Sequence, residues 1–521
     1  MVDADPPLPS LPELLRRAAD TAPDAIAMHS ADGREHSYRA VDRAVNAVAE
    51  QLTAAGLQAH DRLYLALGNS VEYVILELAA LQLGAAVVMP NPRWKESEHG
   101  SALDLTSPAF VVAAEETAGL LEALARGRAE SGEGPAADKT VPALLLVDGE
   151  RPGWISLDTT AEAERAPLPE LDRESESILP FSSGTTGLPK AVRHSRRSLA
   201  AATDLWTRVS GIREGDRLQI FTPLFHIYGA STVGAAFATR SPMWIFPRFD
   251  VGLMLDNAER ERITILLGAT PIAIALLSDP GLDRRDLSAV RYFMWAATPV
   301  DPVIAEEFIR RTGIGVRAGY GTSELPVINQ NPVDHPELWR LDSVGPEAPD
   351  SPVRIVDPDD GSPRAAGVEG EIQITGPDLM LGYLPEEANA DAFTDDGWFR
   401  TGDLGWVGDD GWLHITGRLK DLIRVNAFQV APAEVEHELM THPAVADCAV
   451  FGVPDPATGE KPIAAVVLRP GAAATEDELA AYVAERLATY KHLKRVVLLD
   501  ELPRNAGGKV LRRELQERFP G

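Results

Sequence analysis

Two kinds of hydrophobic spacing alternate through the first hundred residues. The stretches LPELLRRAAD, VDRAVNAVAEQLTAAGL and VEYVILELAALQLGA repeat apolar residues every three or four positions, which predicts helices. Gly56 stands near the end of the second, a helix-stop signal. The short apolar runs DRLYLALGN and AVVMPNP predict strands. Such alternation predicts parallel sheet covered by helices. The middle of the chain continues in this style through RLQIFTPLFHIYG, ITILLGATP and AVRYFMWAATP.

From about Val344 the rhythm changes. VRIVDPDDG, GEIQITGPD and GWFRTGDLGWVGDDGWLHITG are short strands separated by turns, which predicts a β-meander or a distorted barrel. After GRLKD a smaller unit follows, with helix and strand patterns in APAEVEHELMTH, DCAVFGV, IAAVVL and EDELAAYVAERLATY. A boundary between Arg418 and Asp421 divides the chain into a large α/β part, residues 1–418, and a small mobile α+β part, residues 419–521. Two polar stretches, residues 123–140 and ERAPLPELDRESES, are expected to be loops.

At 521 residues the chain is too long for one core, in keeping with two domains. Asp and Glu outnumber Lys and Arg by 78 to 49, a net charge of −29. That field repels nucleic acid and anionic lipid, so an anionic nucleotide would bind only where local amides and cations overrule it. The single cysteine, Cys448, permits no disulfide within the chain, and its setting, AVADCAVFGV, predicts a buried strand. No apolar run approaches the roughly 20 residues of a membrane span. The start, MVDADPPLPSLPELL, is acidic and proline-rich where a signal peptide would be basic and then apolar. The expectation is a cytoplasmic protein.

Ser182–Lys190 reads SSGTTGLPK. Glycines expose backbone amides, hydroxyls add donors, and lysine adds charge, the makings of a phosphate-gripping loop. It lacks the Lys-Ser/Thr ending of the common nucleotide loop. Further along come YGTSE (320–324), TGDLG (401–405), GRLKDLI (417–423) and LPRNAGGKV (502–510). In this order, and with PLFHIYG, FQVAPAEVE and GEKPIAAVVL, the series resembles the adenylate-forming (ANL) superfamily, in its 4-coumarate–CoA-ligase-like branch. The resemblance runs from roughly residue 10 to the C-terminus.

What the resemblance implies is an acid that attacks the α-phosphate of ATP, giving an acid–AMP anhydride and pyrophosphate, before transfer to a nucleophile. Ser182, Ser183, Thr185, Thr186 and Lys190 would grip phosphates. Thr322 would touch the α-phosphate, and Glu324 would help hold Mg²⁺, a hard cation suited to carboxylate and phosphate oxygens. Ala296, Ala297 and Tyr320 would sandwich the adenine. Asp403 would accept from both ribose hydroxyls, and Arg418 would reach the ribose or phosphates. Lys509 would bridge the attacking carboxylate and the α-phosphate, and Lys420 would be the hinge. His226 and Gly321 would border the acid pocket.

Three departures from the resembled pattern fall at substrate positions. Trp295 stands where a glycine is expected beside the acid, and a tryptophan pointing inward would fill the pocket. Leu325 and Pro326 replace Ala-Gly after Glu324. Ala427, two residues before Gln429, replaces a glycine beside the expected path of coenzyme A. Together they predict a very small acid, a short carboxylate or nitrite. The acceptor would be an aromatic amine (diazotisation) or, in an ordinary aryl- or acyl-CoA ligase, CoA. ATP and Mg²⁺ are the expected cofactors, with CoA left open. A non-catalytic nucleotide-binding relative is disfavoured because Lys190, Glu324, Asp403, Arg418 and Lys509 are all present.

Overall fold

The predicted strand–helix alternation builds two eight-stranded sheets. The computed structural model describes residues 7–131, 142–147, 149–182, 190–425, 428–456, 458–505 and 508–520. In the first sheet the order is Gly382–Leu384, Lys190–Ser195, Glu176–Ser182, Ala86–Met89, Arg62–Ala66, Phe110–Ala113, Ala143–Val147 and Ile155–Leu157. Its strands run parallel except around Lys190–Ser195, which is antiparallel to both neighbours. The second sheet runs from Asn329–Gln330 through Val316–Tyr320, Tyr292–Trp295 and Ile265–Gly268 to Ile26–His29 and Glu35–Ser37. The helices Tyr38–Ala54 and Val71–Leu83 cover these sheets, the second of them buried along nearly its whole length.

The expected change of rhythm near Val344 is a five-stranded antiparallel sheet, its outer strands Gly345–Pro346 and Val353–Val356. Register shifts near Glu371 and Leu404 distort it. From Ile423 onward a separate sheet forms, with Val445–Asp455 antiparallel to Gly459–Leu468. Helices Pro432–Met440, Glu476–Ala484 and Arg512–Arg518 accompany it. Cys448 is buried on this sheet as a free thiol. Among the described residues no helix is long and apolar enough to cross a membrane.

One predicted loop is in part a helix. Glu115–Ser131 continues into the stretch from residue 123, because Ala118, Leu121 and Ala125 recur on one face and are buried. Its alanine-rich sequence favours helix despite its low hydrophobicity.

The strand Tyr292–Trp295 corrects a more consequential expectation. Successive side chains on a strand point to opposite faces. Phe293 and Trp295 share a buried cluster with Ile304 and Phe308, whereas Tyr292 and Met294 belong to the cluster on the other face. The Trp295 ring lies 5.5 Å from Phe293 and is fully buried. It is therefore a core residue and does not line the acid-side cavity. The same cluster continues into Val435, Leu439 and Met440 of the small part, so Trp295 helps to build the floor on which that part rests. Trp295→Ala is expected to destabilise the protein by about 3–5 kcal/mol through the void it leaves. The acid preference should stay unchanged; denaturant unfolding alongside an acid panel checks both.

Candidate active site

A cleft of about 1170 Å³ lies where the second sheet, the antiparallel sheet and the small part meet. Its floor is set by tight backbone geometry. Ala297 has φ +68°, a left-handed conformation rare for a residue with a side chain, and it lines the cleft beside Ala296. Gly321 has no alternative: a Cβ there would lie 2.0 Å from the Pro326 carbonyl oxygen. Between Gly321 and Pro326 the turn 322–325 closes on itself. The Thr322 amide donates to the Leu325 carbonyl, and the Leu325 amide donates to the Thr322 hydroxyl, both at 3.0 Å.

That turn is pinned from the first sheet by His194, a residue the sequence did not single out. Its Nε2 lies 2.7 Å from the Ser323 carbonyl, and its Nδ1 lies 3.2 Å from the Ser198 hydroxyl. Burial pushes the His194 pKa down to about 4, so the ring is neutral near pH 7. A neutral ring facing a carbonyl must carry its proton on Nε2.

Glu324 projects from this turn into the cleft. The Tyr383 hydroxyl donates to its Oε1 at 2.6 Å, and the Lys190 ammonium sits 5.0 Å above the Tyr383 ring. Tyr383 thus links two predicted nucleotide residues that lie far apart in sequence. Glu324 Oε2 carries no hydrogen bond among the described residues. No group of three or more acids, histidines or cysteines able to hold a metal occurs among them. The residues therefore suit Mg²⁺ held by one carboxylate and completed by phosphate oxygens, the usual manner for that ion.

Asp403 is buried, and two donors engage it. Tyr320 donates from its hydroxyl at 2.5 Å to one oxygen, and Arg418 Nε lies 2.8 Å from the other. Asp403 and Arg418 are direct cross-strand partners. Burial and the Asp403 charge together push the Tyr320 pKa well up, so the phenol keeps its proton. Burial lowers the Arg418 pKa, yet Asp403 and other acids outweigh it and leave a net rise.

Lys509 enters from the small part. Its amide donates to the Asn505 side chain at 2.9 Å, and Arg504 donates to the Gly508 carbonyl at 2.6 Å, which ties Lys509 and Gly508 to the residues before them. Gly508 has φ +83° and lies against the helix Thr270–Ser278, where a Cβ would meet Pro271 at 2.9 Å. Burial first, then the nearby Arg418 and Lys420 charges, lowers the Lys509 pKa to about 7. Lys420 is lowered to about 8, by burial and then Arg418.

The other end of the cleft is aromatic. Trp206 meets Tyr228 edge-on at 5.4 Å, and Phe225, Val327 and Gln330 complete the wall. His226 caps the helix Ile227–Thr239 there and is kept neutral by burial. Ser182, Lys190, Ala296, Ala297, Tyr320, Gly321, Thr322, Glu324, Pro326, Asp403, Arg418, Lys420 and Lys509 all border the same cleft. Leu325 does not: it packs with Val192, Ile355 and Ile372 in the core beneath the antiparallel sheet. Ser183, Thr185, Thr186 and Ala427 lie outside the described residues, as does the side chain of Gln429.

A cleft between sheet-built and smaller parts of the chain, walled by a buried carboxylate and several cations, suits an anionic ligand. The AMP-binding enzyme family matches residues 15–384, and the AMP-binding enzyme C-terminal domain matches residues 434–509. The chain belongs to this family of ATP-dependent, AMP-forming ligases and lies close to its 4-coumarate–CoA ligases. It is 33% identical to 4-coumarate–CoA ligase 5 of Oryza sativa subsp. japonica, over 98% of this chain and 95% of the relative. The anthranilate CoA ligase AuaEII in complex with anthranoyl-AMP superposes with a TM-score of 0.88 at 25% identity, covering 99% and 98% of the two chains. The amide bond synthetase McbA from Marinactinospora thermotolerans gives 0.85 at 29% identity, covering 98% and 100%.

Removing the His194 ring strands the Ser323 carbonyl, a loss of about 1–3 kcal/mol at the turn that carries Thr322 and Glu324. His194→Ala is expected to lower kcat/KM for ATP about tenfold or more, with the KM for the acid little changed. Steady-state pyrophosphate release reads both constants.

Proposed function

We propose that the enzyme adenylates a flat aromatic carboxylic acid and transfers the acyl group to coenzyme A as a thioester. The supporting observation is the aromatic wall of Trp206, Phe225 and Tyr228, left open because Trp295 faces the opposite side of its strand. The small-acid reading (nitrite or a short carboxylate, with an aromatic amine as acceptor) rests on Trp295, Leu325, Pro326 and Ala427. Of the three that are described, Pro326 alone lines the cleft. Likeness to the coumarate and anthranilate CoA ligases supports CoA as the acceptor.

The chemistry follows from the charges. A carboxylate oxygen attacks the α-phosphorus, a new P–O bond forms, and the bond to the β-phosphate bridging oxygen breaks, releasing pyrophosphate. Two anions must approach each other, so a cation between them is the main requirement. Lys509 meets it: it lies in the same cleft as Thr322, held on a loop rather than floating on a tail. Asp403 would take the ribose hydroxyls while keeping Arg418. Ala296, Ala297 and Tyr320 would hold adenine; Ser182 and Lys190, with Ser183, Thr185 and Thr186, would hold the outer phosphates. Mg²⁺ on Glu324 would neutralise phosphate charge. In the second step the thiol sulfur attacks the acyl carbon, loses its proton, and AMP leaves. The part from residue 419 onward would swing about Lys420 between the two steps, carrying Lys509 away and opening a path for the acceptor past Ala427 and Gln429.

The test is AMP release with ATP and Mg²⁺ and one of acetate, benzoate, anthranilate, 4-coumarate or nitrite. Each acid is offered alone, with CoA, or with an aromatic amine. Turnover of an aromatic acid with CoA, yielding the thioester, is expected. Turnover confined to nitrite and an aromatic amine would overturn this reading in favour of diazotisation.

Lys509 adds a pH signature. In the empty cleft it loses its charge as pH rises through about 7. Bound phosphates favour the charged form and raise that pKa, so above pH 7 nucleotide binding takes up a proton and weakens as pH rises. Calorimetry in buffers of different ionisation heat should show this uptake, and Lys509→Gln should diminish it.

A further inference from the structure

The loop between the strand Ala86–Met89 and the helix Glu96–Thr106 reads NPRWK over residues 91–95 and lines the cleft together with Ser182 and Lys190. Trp94 anchors it. The indole lies edge-on to Phe181 at 4.9 Å and to His99 at 5.9 Å. His99 is itself buried, 2.7 Å from the Tyr64 hydroxyl through Nδ1. The Arg93 amide donates to the Asn91 side chain at 3.0 Å, an Asx turn that fixes the residue before the tryptophan. The Lys95 amide donates to Glu98 at 2.8 Å, which fixes the residue after it.

Arg93 and Lys95 therefore flank a rigid anchor, and both line the cleft with Ser182 and Lys190. The connection is short: Phe181, which holds Trp94, pairs with Ala191, and Ser182 pairs with Lys190. Neither the Arg93 nor the Lys95 side chain makes an ion pair among the described residues. Two unneutralised cations at one rim are notable in a chain of net charge −29. Glu98 shares the rim, and Glu96 stands exposed nearby, so the local excess is modest.

We propose that Arg93 and Lys95 bind the outer phosphates of ATP and the departing pyrophosphate, extending the grip of Lys190 outward to the mouth of the cleft. This rests on adenylate formation, not on which acid is activated. At the rim the cations are hydrated and partly screened, so they capture and release a trianionic or tetra-anionic leaving group without trapping it.

Direct binding of magnesium pyrophosphate to the full chain, by calorimetry and with no acid present, tests this independently of acid identity. The variants are R93Q/K95Q and, as a charge control on the small part, K494Q. R93Q/K95Q should weaken pyrophosphate binding about tenfold at low salt, with the gap closing near 0.5 M salt. K494Q should bind like the unaltered protein, and all three should unfold at the same temperature. Affinities within twofold of one another would overturn the proposal. So would equal weakening in K494Q, or no measurable binding by the unaltered protein.

Discussion

The Asp403 carboxylate is the point on which the architecture turns. A buried carboxylate is tolerated only when its charge and lone pairs are met, and here Tyr320 and Arg418 meet them. Tyr320 ends a strand of the second large sheet, Asp403 and Arg418 belong to adjacent strands of the antiparallel sheet, and Arg418 leads directly into residues 419–421. One small network therefore ties three parts of the molecule at the wall of the cleft. Its geometry must be right before any substrate arrives, because the partners come from strands whose registers are fixed by their own cores.

The cleft inverts the electrostatics of the chain that makes it. Lys509, Lys420 and Arg418 crowd one wall, and burial first, then the Arg418 charge, depresses the two lysines. Asp403 and Asp421 offset part of this. The remainder is a standing preference for an anion, which a triphosphate satisfies. An anion in the cleft would therefore favour the close approach of Lys509 to Arg418 and Lys420, which their own charges oppose.

Much of this was legible in the sequence, and the failures have a physical pattern. Polar and glycine-rich motifs announced themselves, because residues such as Asp403, Glu324 and Lys509 have few structural reasons to stand where they do. The run Tyr-Phe-Met-Trp at 292–295 carried no such information. A central strand covered on both faces is apolar throughout, so its sequence does not say which side chain faces the cavity. A displacement of one residue exchanges the faces completely, and that displacement turned Trp295 from a core residue into an apparent pocket plug. Leu325 misled for a related reason: the tight turn that aims Glu324 into the cleft rotates the next residue into the core beneath.

His194 and Tyr383 were silent in the sequence because each acts on a motif well over fifty positions away. Only the fold brings the first sheet under the 322–325 turn, and only there do they become parts of one device. Glu324 is held by Tyr383, the turn beneath it by His194, and Lys190 lies over the same tyrosine ring. These supports are neutral and mostly buried, whereas the groups they position are charged and face the cleft. Such a division has a reason. A charged support would compete with Lys190 and Glu324 for the same counter-charges, whereas a neutral ring or hydroxyl sets direction and leaves their charge available to a ligand in the cleft.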